Sequence, residues 1–408
     1  MSGAQEQGRP LDGIRVLAVE NFVAAPIASM WLADAGAEVV KIEEPGKGDQ
    51  SRAMAPLRPD ADGKPQGLSF VRTNRNKRSV TLDLKSVEGK RVFRELAAKA
   101  DIFIENLRPG VMDGLGLGWQ QLQAINPRLI YVAISGFGHR DILPSPYTDH
   151  PAFDIVAQAM TGLMYRPQRS DDAPVYLGFS LADIQAGMVA SQGVLLALIQ
   201  RGRTGAGQKV DVSLYDASLV MNELPVTLYS ATGQKAKPGV HAVTAPFGAY
   251  KTADGYIVIA VLGEHVWRRF VEVVGLPSLL DDERFADGVK RNANLPVLNE
   301  RIAPWLAAHT RKQAVDAFNA GGVPASVVNQ VEDIFDCPHI EAREMLLTLQ
   351  DPVWGEVQVP GNPIKMTGAR GAPSEPPPRL GEHNEDVLGR WLGYAASDVA
   401  ALTRRTVA

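Results

Sequence analysis

Short apolar runs and longer amphipathic stretches alternate along the first half of the chain. The runs are rich in Val, Ile and Leu, as is typical of buried strands, and they lie at residues 14–19, 38–42, 79–84, 101–106, 129–135 and 209–213. Helical spacing follows at residues 27–35, 86–100, 119–125, 183–202 and 217–229. Gly36 suits the end of the first helix, and Ser86 suits the N-cap of the second. Strands that alternate with helices predict an α/β fold with a Rossmann-like, doubly wound parallel sheet.

The pattern changes after residue 231. Residues 232–240 are polar and rich in Gly and Pro, which indicates a linker. Residues 247–261 alternate like a hairpin around a turn at 253–255, and helices are expected at 298–309 and 312–320. These elements predict a second, smaller α+β domain. A proline-rich connector at 373–378 and a helical end from about Asn384 complete the chain.

Composition and charge narrow the class of protein. The chain has 408 residues, enough for two domains, with 42 Lys+Arg against 46 Asp+Glu and a net charge of -4. This balance gives no overall attraction to nucleic acid or to an anionic membrane. Cys337 is the only cysteine, so no intrachain disulfide can form, and the seven histidines lack metal-binding spacing. We find no signal peptide in residues 1–10, and the apolar run 187–199 is too short to span a membrane, so we expect a cytoplasmic protein.

The first strand–helix turn lacks the glycines of a dinucleotide site. It spans residues 21–26 and contains no glycine, although Glu43 follows the second strand as a ribose-binding acid would. The expected sheet therefore resembles a Rossmann fold without binding a nicotinamide cofactor. The basic cluster at residues 74–78 could hold phosphates, but on charge alone a solvated loop is the simpler interpretation. Arg108 follows a buried strand at its carboxyl end, where ligands bind in open α/β sheets.

Asp183 lies at the start of the most apolar helical stretch. Asp is a preferred N-cap, so a structural role explains it. It could also be a carboxylate nucleophile whose charge the helix N-terminus stabilises, and the two roles are compatible. Ala186, Gly187 and Ala190 leave this helix face small, so another element or a ligand could approach closely. Ser180 nearly matches the nucleophile elbow of hydrolases, but the chain has no HGGG oxyanion loop.

Seven segments in order resemble the CaiB/BaiF family, the class III CoA-transferases. They cover nearly the whole chain and lie at residues 11–16, 34–49, 76–79, 105–110, 182–187, 205–211 and 380–383. The resemblance implies a large Rossmann-like CoA-binding domain from residues 1–225 and 335–408, and a small α+β domain from 226–334. It also implies an interlocked homodimer with no tightly bound cofactor and no metal. The expected partners are an acyl-CoA, a carboxylic acid and a second copy, with no nucleic acid or membrane.

The implied reaction is transfer of CoA from an acyl-CoA thioester to a free carboxylic acid. Asp183 matches the family's catalytic aspartate, which forms a covalent aspartyl intermediate. Family members often use succinyl-CoA, so a dicarboxylyl-CoA donor is expected. The CoA contacts that the resemblance implies are Val23, Ala24, Leu82, Lys85, Asn106, Leu107, Arg108, Phe153 and Asp154.

Two alternatives remain open at this point. A 2-methylacyl-CoA racemase places a histidine directly before the aspartate that Asp154 matches, and this chain has Phe153 there, which cannot take a proton. A CoA-binding protein without chemistry would not need Asp183 in its motif. The chain also departs from the formate enzyme, since residues 239–244 replace a glycine-rich loop. A second family arginine falls on Gly114 or Leu115, and Arg75 and Arg78 are the candidates that could replace it.

Overall fold

A computed structural model describes residues 8–165, 173–235, 241, 244–369, 371 and 374–405 of the chain. The chain divides into two compact units. The first lies within Met1–Met164, Tyr176–Asn222 and Glu341–Ala408, and the second within Tyr165–Val175 and Glu223–Ile340.

The strands, in chain order, are β1 Arg15–Val19, β2 Glu38–Glu43, β3 Leu57–Pro59, β4 Pro65–Gly67, β5 Lys77–Thr81, β6 Ile102–Glu105, β7 Ile130–Ser135, β8 Lys209–Ser213, β9 Phe247–Lys251, β10 Tyr256–Ala260, β11 Ala325–Val327, β12 Leu346–Asp351 and β13 Gly355–Pro360. The helices are α1 Ala24–Asp34, α2 Leu68–Val71, α3 Val87–Ala97, α4 Val111–Gly114, α5 Trp119–Ile125, α6 Asp154–Met160, α7 Leu181–Thr204, α8 Leu214–Met221, α9 Glu223–Thr232, α10 Glu264–Val274, α11 Gly288–Ala293, α12 Leu295–Ala307, α13 Arg311–Ala320, α14 Pro338–Ala342, α15 Asn384–Leu392 and α16 Ala396–Arg405.

A six-stranded parallel sheet organises the first unit. Its strand order is β5-β2-β1-β6-β7-β8, and every neighbouring pair is parallel. One face packs on α1 and α7, and the other packs on α3, α5 and α15. Both faces are therefore buried, which explains why the strands read as continuous apolar runs. The prediction of an α/β fold with a parallel sheet is confirmed.

Two helix ends have the residues that the sequence pattern predicted for them. The hydroxyl of Ser86 accepts the N–H of Gly89 at 2.9 Å, which caps α3 as expected. Gly36 follows α1 with φ at 111°, a conformation that L side chains rarely adopt. These two residues fix where α3 begins and where α1 ends.

Helices α1 and α7 approach closely at their N-terminal halves. A Cβ added to Gly187 would lie 2.6 Å from the backbone oxygen of Ala24, so only glycine fits there. Ala186 and Ala190 on the same helix are fully buried in the core that both helices share. The small helix face predicted from the sequence is thus occupied by another element of the chain.

Among the described residues, Leu181–Thr204 is the one helix that is long and apolar enough to cross a membrane by length and composition. In this structure α7 packs against α1, α8 and the parallel sheet. One side of this apolar helix is therefore buried within the first unit.

The second unit contains a three-stranded antiparallel sheet in the order β11-β10-β9. The hairpin expected around residues 253–255 is present, with Tyr256 opposite Lys251. Helices α10, α12 and α13 supply apolar side chains to its core, including Phe270 and Phe318, whose rings stack 5.5 Å apart. A capping box at Thr310 and Gln313 begins α13.

Several predicted boundaries were wrong. The helix expected at 217–229 is two helices, α8 and α9, which Asn222 separates. The strand expected at 79–84 is Lys77–Thr81, because pairing with β2 begins two residues earlier. The predicted linker begins inside α9, and its residues 236–240 lie outside the described residues.

Candidate active site

The loops that follow β1 and β6 meet at the carboxyl edge of the parallel sheet. The Asn106 side chain holds the backbone of Asn21 at two points, accepting its N–H at 2.9 Å and donating to its carbonyl at 2.8 Å. Glu105 accepts the N–H of Leu107 at 2.8 Å. The predicted CoA segment at Asn106 and Leu107 is therefore fixed to the loop that leads into α1.

The start of α6 lies beside the same loop. A Cβ on Gly136, just after β7, would collide with Ala152, so this segment packs directly on the end of the sheet. Phe153 occupies the N-cap position of α6, and its ring meets that of Phe22 edge to face with the centroids 5.9 Å apart. Phe153 is nevertheless 64% exposed, so its ring is also open to a ligand.

Asp154 caps the N-terminus of α7. Its Oδ1 accepts the N–H of Ala182 at 2.6 Å and that of Asp183 at 3.2 Å. Its Oδ2 accepts from Gln158 Nε2 at 2.6 Å, one helical turn further along α6. Asp154 is buried, so the carboxylate ties α6 to the first turn of α7.

Asp183 is the third residue of α7, not its N-cap. Ser180 holds the N-cap position and makes no side-chain capping hydrogen bond. The first-turn N–H groups of Ala182 and Asp183 donate to Asp154 instead. The cap interpretation was therefore wrong.

Two neighbours perturb the acidity of Asp183 in opposite directions. Burial first, and the charge of Asp154 second, raise the pKa of Asp183 to about 7. Arg72 opposes them and lowers it. A carboxyl group with a pKa this high ionises near neutral pH and is held in a poorly solvated position, which favours reactivity over a structural role.

The sequence reasoning missed three neighbours of this pair: Arg72, Gln158 and Tyr176. Burial and the charges of both aspartates raise the pKa of Tyr176, and Arg72 lowers it. The i, i+4 spacing of Asp154 and Gln158 was a signal that could have revealed Gln158. Arg72 and Tyr176 belong to no motif, so only the fold brings them to the site.

A buried ion-pair network lies next to this edge. Lys41 Nζ is 2.7 Å from Asp49 Oδ2 and 3.3 Å from Glu20 Oε1, and Lys77 Nζ is 2.8 Å from Glu20 Oε1. Burial alone would raise the pKa of Glu20, but Lys41 and Lys77 outweigh it and the pKa falls below its usual value. Asp49 Oδ1 accepts the N–H of Phe22 at 3.2 Å, so the network also fixes the loop before α1.

The network corrects the interpretation of the basic cluster at residues 74–78. Arg75 and Lys77 are fully buried, and Arg75 Nη2 lies 2.6 Å from Asp34 Oδ2. Neither a solvated loop nor a phosphate site describes these residues, and Arg75 cannot replace a CoA-binding arginine. Arg78 is partly exposed and lies 3.3 Å from Glu375.

Glu43 likewise belongs to the buried ion pairs that hold this edge of the sheet in place. It accepts two hydrogen bonds from Arg52, both at 2.8 Å, and one from the Ser79 hydroxyl at 2.6 Å. Its side chain is buried, so the comparison with a ribose-binding acid was wrong.

The remaining predicted CoA residues follow the ends of β1, β5 and β6. Val23, Ala24 and Leu82 are buried, so only their backbone and edges could face a ligand. Lys85 and Arg108 are exposed at the ends of their segments. Ala24 begins α1 and the others lie in loops, all after strand ends at the carboxyl edge, where ligands bind in open parallel sheets.

The alternatives from the sequence find little support in this geometry. Phe153 stands where a racemase would place a histidine, and a phenyl ring cannot move a proton. Within the described residues, Ser180 has no histidine partner, as a hydrolase would require. No group of three or more His, Cys, Asp or Glu suited to a metal occurs there either. Most of residues 239–244 lies outside the described residues.

Comparisons with known proteins identify the family of this chain. The profile of the family described as CoA-transferase family III matches residues 11–384. The chain is 34% identical over 407 residues to the succinyl-CoA–D-citramalate CoA-transferase of Chloroflexus aurantiacus, with 99% of each chain covered. It is 36% identical over 381 residues to the succinyl-CoA:mesaconate CoA-transferase of Haloarcula hispanica, with 93% of this chain and 95% of that one covered. A CaiB/BaiF family protein from Brucella suis has a TM-score of 0.82 at 32% identity, covering 94% of this chain and 100% of that one.

A parallel sheet of this topology, joined to these matches, defines a CoA-transferase. The chain belongs to CoA-transferase family III, the CaiB/BaiF family, and the resemblance drawn from its motifs is confirmed. It is an enzyme that transfers CoA from an acyl-CoA thioester to a free carboxylic acid.

Proposed function

We propose that the protein transfers CoA from succinyl-CoA, or another dicarboxylyl-CoA, through a covalent intermediate on Asp183. The observation that carries this proposal is the position of Asp183, partly buried at the start of α7 beside a second carboxylate. The relatives in Chloroflexus and Haloarcula are named as succinyl-CoA enzymes whose acceptors, citramalate and mesaconate, are dicarboxylic acids. They support the same class of donor and acceptor here.

In the proposed mechanism the Asp183 carboxylate attacks the thioester carbonyl of the donor. The C–S bond breaks, which leaves a mixed anhydride and CoA thiolate. The thiolate then attacks the Asp183 carbonyl, which releases the free acid and leaves an aspartyl-CoA thioester. The acceptor carboxylate repeats the two steps in reverse and regenerates Asp183. Covalent catalysis thus divides one difficult exchange into easier steps.

The proposed CoA site runs along the loops after β1, β5 and β6. Lys85 and Arg108 are the exposed cations among its predicted residues, and they suit the phosphates at the far end of CoA. The backbone near Val23 and Ala24 adjoins α7, where the thioester would meet Asp183. Phe153 offers an exposed ring beside this path, and Asp154 holds the start of α7.

We also propose an interlocked homodimer, formed by a large domain of residues 1–225 and 335–408 and a small domain of 226–334. Exposed apolar side chains support a partner. Helix α9 buries none of its residues and exposes Leu224, Val226 and Tyr229. Helix α7 exposes Leu195, Leu196 and Ile199. Patches of this kind mark protein interfaces, and sedimentation equilibrium distinguishes a dimer from a monomer.

Fractionation of the source cells would test the expected cytoplasmic location.

The central test is replacement of the nucleophile. Asp183→Ala should lower CoA transfer from succinyl-CoA to a dicarboxylic acid by about a thousandfold or more, because no covalent intermediate can form. CoA binding, measured by calorimetry, should remain. Intact-mass spectrometry of the wild-type protein with succinyl-CoA should show a CoA adduct on Asp183.

The exposed substitution Asp62→Ala is the matched control and should retain transfer. Retained transfer in Asp183→Ala, or an adduct on another residue, would contradict the proposed mechanism.

A further inference from the structure

Gln158 lies on α6, one helical turn after Asp154, and its side chain is fully buried. The side-chain amide meets two acceptors, because Nε2 lies 2.6 Å from Asp154 Oδ2 and 3.0 Å from the carbonyl oxygen of Phe179. Only the NH2 end of an amide can donate to two oxygen atoms at once, so the partners of Gln158 determine its orientation. Gln158 therefore donates both of its side-chain hydrogens to these two groups.

The two partners of Gln158 lie on either side of the start of α7. Phe179 is two residues before the first residue of this helix. Asp154 contacts the helix itself, since its other carboxylate oxygen accepts the N–H of Ala182 at 2.6 Å and that of Asp183 at 3.2 Å. One buried amide therefore holds the chain that leads into α7 and, through Asp154, the first turn of α7.

This set of hydrogen bonds fixes the backbone that carries Asp183. The N–H of Asp183 is bound to one oxygen of Asp154, and the second oxygen of Asp154 is bound to Gln158. An attacking group must lie within a narrow range of distance and angle from the carbonyl carbon, and a misplacement of about 1 Å can lower a rate by about 100-fold. The direction of a side chain follows its backbone, so a fixed first turn is what such an attack requires.

We propose that Gln158 is a positioning residue for Asp183, and that by holding Asp154 and the Phe179 carbonyl it keeps the first turn of α7 in the orientation for attack on the thioester. This inference rests on the proposed function, since it takes Asp183 as the nucleophile. Gln158 is fully buried, so it acts through Asp154 and the helix backbone and does not itself touch the substrate.

Loss of the Gln158 amide should loosen the first turn of α7 and hydrate it. Asp154 is buried, so a carboxylate oxygen that loses its donor must move or admit water. Water beside Asp183 would weaken the effect of burial, which is the first cause of the raised pKa of this residue. A substitution at residue 158 leaves the other titratable groups coupled to Asp183, namely Asp154, Arg72 and Tyr176, chemically unaltered.

The experiment measures formation of the CoA adduct on Asp183 in single turnovers with succinyl-CoA. Gln158→Met keeps the size of the side chain and removes both donors. At about pH 8.5, where Asp183 is largely ionised, it should lower the rate at saturating succinyl-CoA by about 10- to 100-fold. The concentration for half-saturation should stay within about threefold of the wild-type value, because Gln158 does not face the substrate. The midpoint of the pH profile should move down by about 0.5–1 unit as Asp183 becomes better solvated.

Thr161→Val is the matched control. Thr161 is buried at the end of α6, and its hydroxyl donates to the Ala157 carbonyl at 2.7 Å, so this variant also removes a buried hydrogen bond. It should lower the unfolding temperature and leave the rate, the half-saturation and the pH midpoint unchanged. Gln158→Glu is a second variant of the same shape. Its ionised carboxylate cannot donate to either partner, so the rate at saturation should again fall by about tenfold or more.

The outcomes separate positioning from a structural role. An unchanged rate in Gln158→Met, or a change confined to the half-saturating concentration, would overturn the proposal. Equal kinetic losses in Thr161→Val would also overturn it, as would failure of both Gln158 variants to fold, since Gln158 would then be structural alone. Absence of an adduct in the wild-type protein would overturn the proposed function and this role together, whereas a wild-type adduct that forms equally fast in Gln158→Met would overturn this role alone.

Discussion

Two sets of carboxylates lie near the carboxyl ends of the strands in the first unit, and their charges are balanced differently. Glu20 and Asp49 share Lys41, and Glu20 also pairs with Lys77, with every contact at 3.3 Å or less. Asp154 and Asp183 form the second set. Among the described residues, the cation that lowers the pKa of Asp183 is the exposed Arg72. The first set holds the loop before α1 in place, and the second contains the group with a raised pKa.

The difference shows how one sheet edge can hold both a structural ion-pair network and a carboxyl group of raised pKa, the proposed nucleophile. Paired cations keep the pKa of Glu20 and Asp49 low although burial opposes this. At Asp183, burial and a like charge act together, and the pKa rises to about 7. Both sets bury carboxyl groups. The difference in their pKa values therefore comes from how closely buried cations pair with them.

The largest effect on stability is expected in the buried ion-pair network around Lys41. Lys41→Met should lower the free energy of unfolding by about 3–5 kcal/mol, because Glu20 and Asp49 would remain buried without their shared partner. Urea denaturation followed by circular dichroism measures the change. Lys47→Met removes an exposed lysine that pairs with Glu44 at 2.9 Å, and it should cost less than about 0.5 kcal/mol. Equal losses of unfolding free energy in the two variants would show that the buried ion-pair network contributes no more to stability than an exposed ion pair.

Replacement of Asp183, the proposed nucleophile, should change the free energy of unfolding in the opposite direction. Asp183→Asn should raise the free energy of unfolding by about 1–3 kcal/mol at pH 8, because an ionised carboxylate is no longer held in a poorly solvated position. The folded chain binds this proton with a pKa of about 7 and the unfolded chain with a pKa near 3.8, so unfolding releases a proton between these values. Wild-type stability contributed by Asp183 therefore falls as pH rises through this window.

The advantage of Asp183→Asn should accordingly grow from pH 4 to pH 7 and stay constant above it, in urea denaturation at several pH values. The exposed variant Asp62→Asn should differ from wild type by less than about 0.5 kcal/mol throughout. A destabilised Asp183→Asn at pH 8 would show that the carboxylate is structural after all.

The smallest effect concerns the coupling inside the pair. Asp154→Asn keeps an oxygen that can accept the N–H groups of Ala182 and Asp183, but it removes the charge that raises the pKa of Asp183. The rate at which succinyl-CoA converts Asp183 to its CoA adduct should rise with pH. The midpoint of this pH profile should move down by about 0.5–1 unit in Asp154→Asn. Stopped-flow pH profiles give both midpoints. Asp316→Asn, on α13 of the second unit, should leave the midpoint in place, and an upward shift in Asp154→Asn would refute the coupling.

The sequence predicted those parts of the fold that depend on local pattern. Apolar runs located strands such as β1 and β7 because a sheet covered on both faces needs continuous apolar residues. Ser86 was a reliable cap because its partner, Gly89, lies three residues away. The ordered motifs identified the family, and with it the class of reaction.

The predictions that failed depend on partners far apart in the chain. Arg75 pairs with Asp34, 41 residues earlier, and Lys77 with Glu20, 57 residues earlier, so a buried network looked like a solvated loop. Asp183 looked like a cap because its true neighbour, Asp154, caps α7 from another helix. Arg72 is a single exposed arginine without a motif, and local pattern contains no sign of its position.

The contact of Gly187 with the Ala24 carbonyl has a consequence for engineering the enzyme. Because a Cβ at residue 187 would meet the Ala24 backbone at 2.6 Å, a larger residue there would push α1 and α7 apart. Exchange of residues at the exposed rim, such as Arg72 or Tyr176, does not alter this contact and should leave the distance between the start of α1 and Asp183 unchanged. Libraries aimed at new carboxylic acids can vary that rim freely, provided that residue 187 remains glycine.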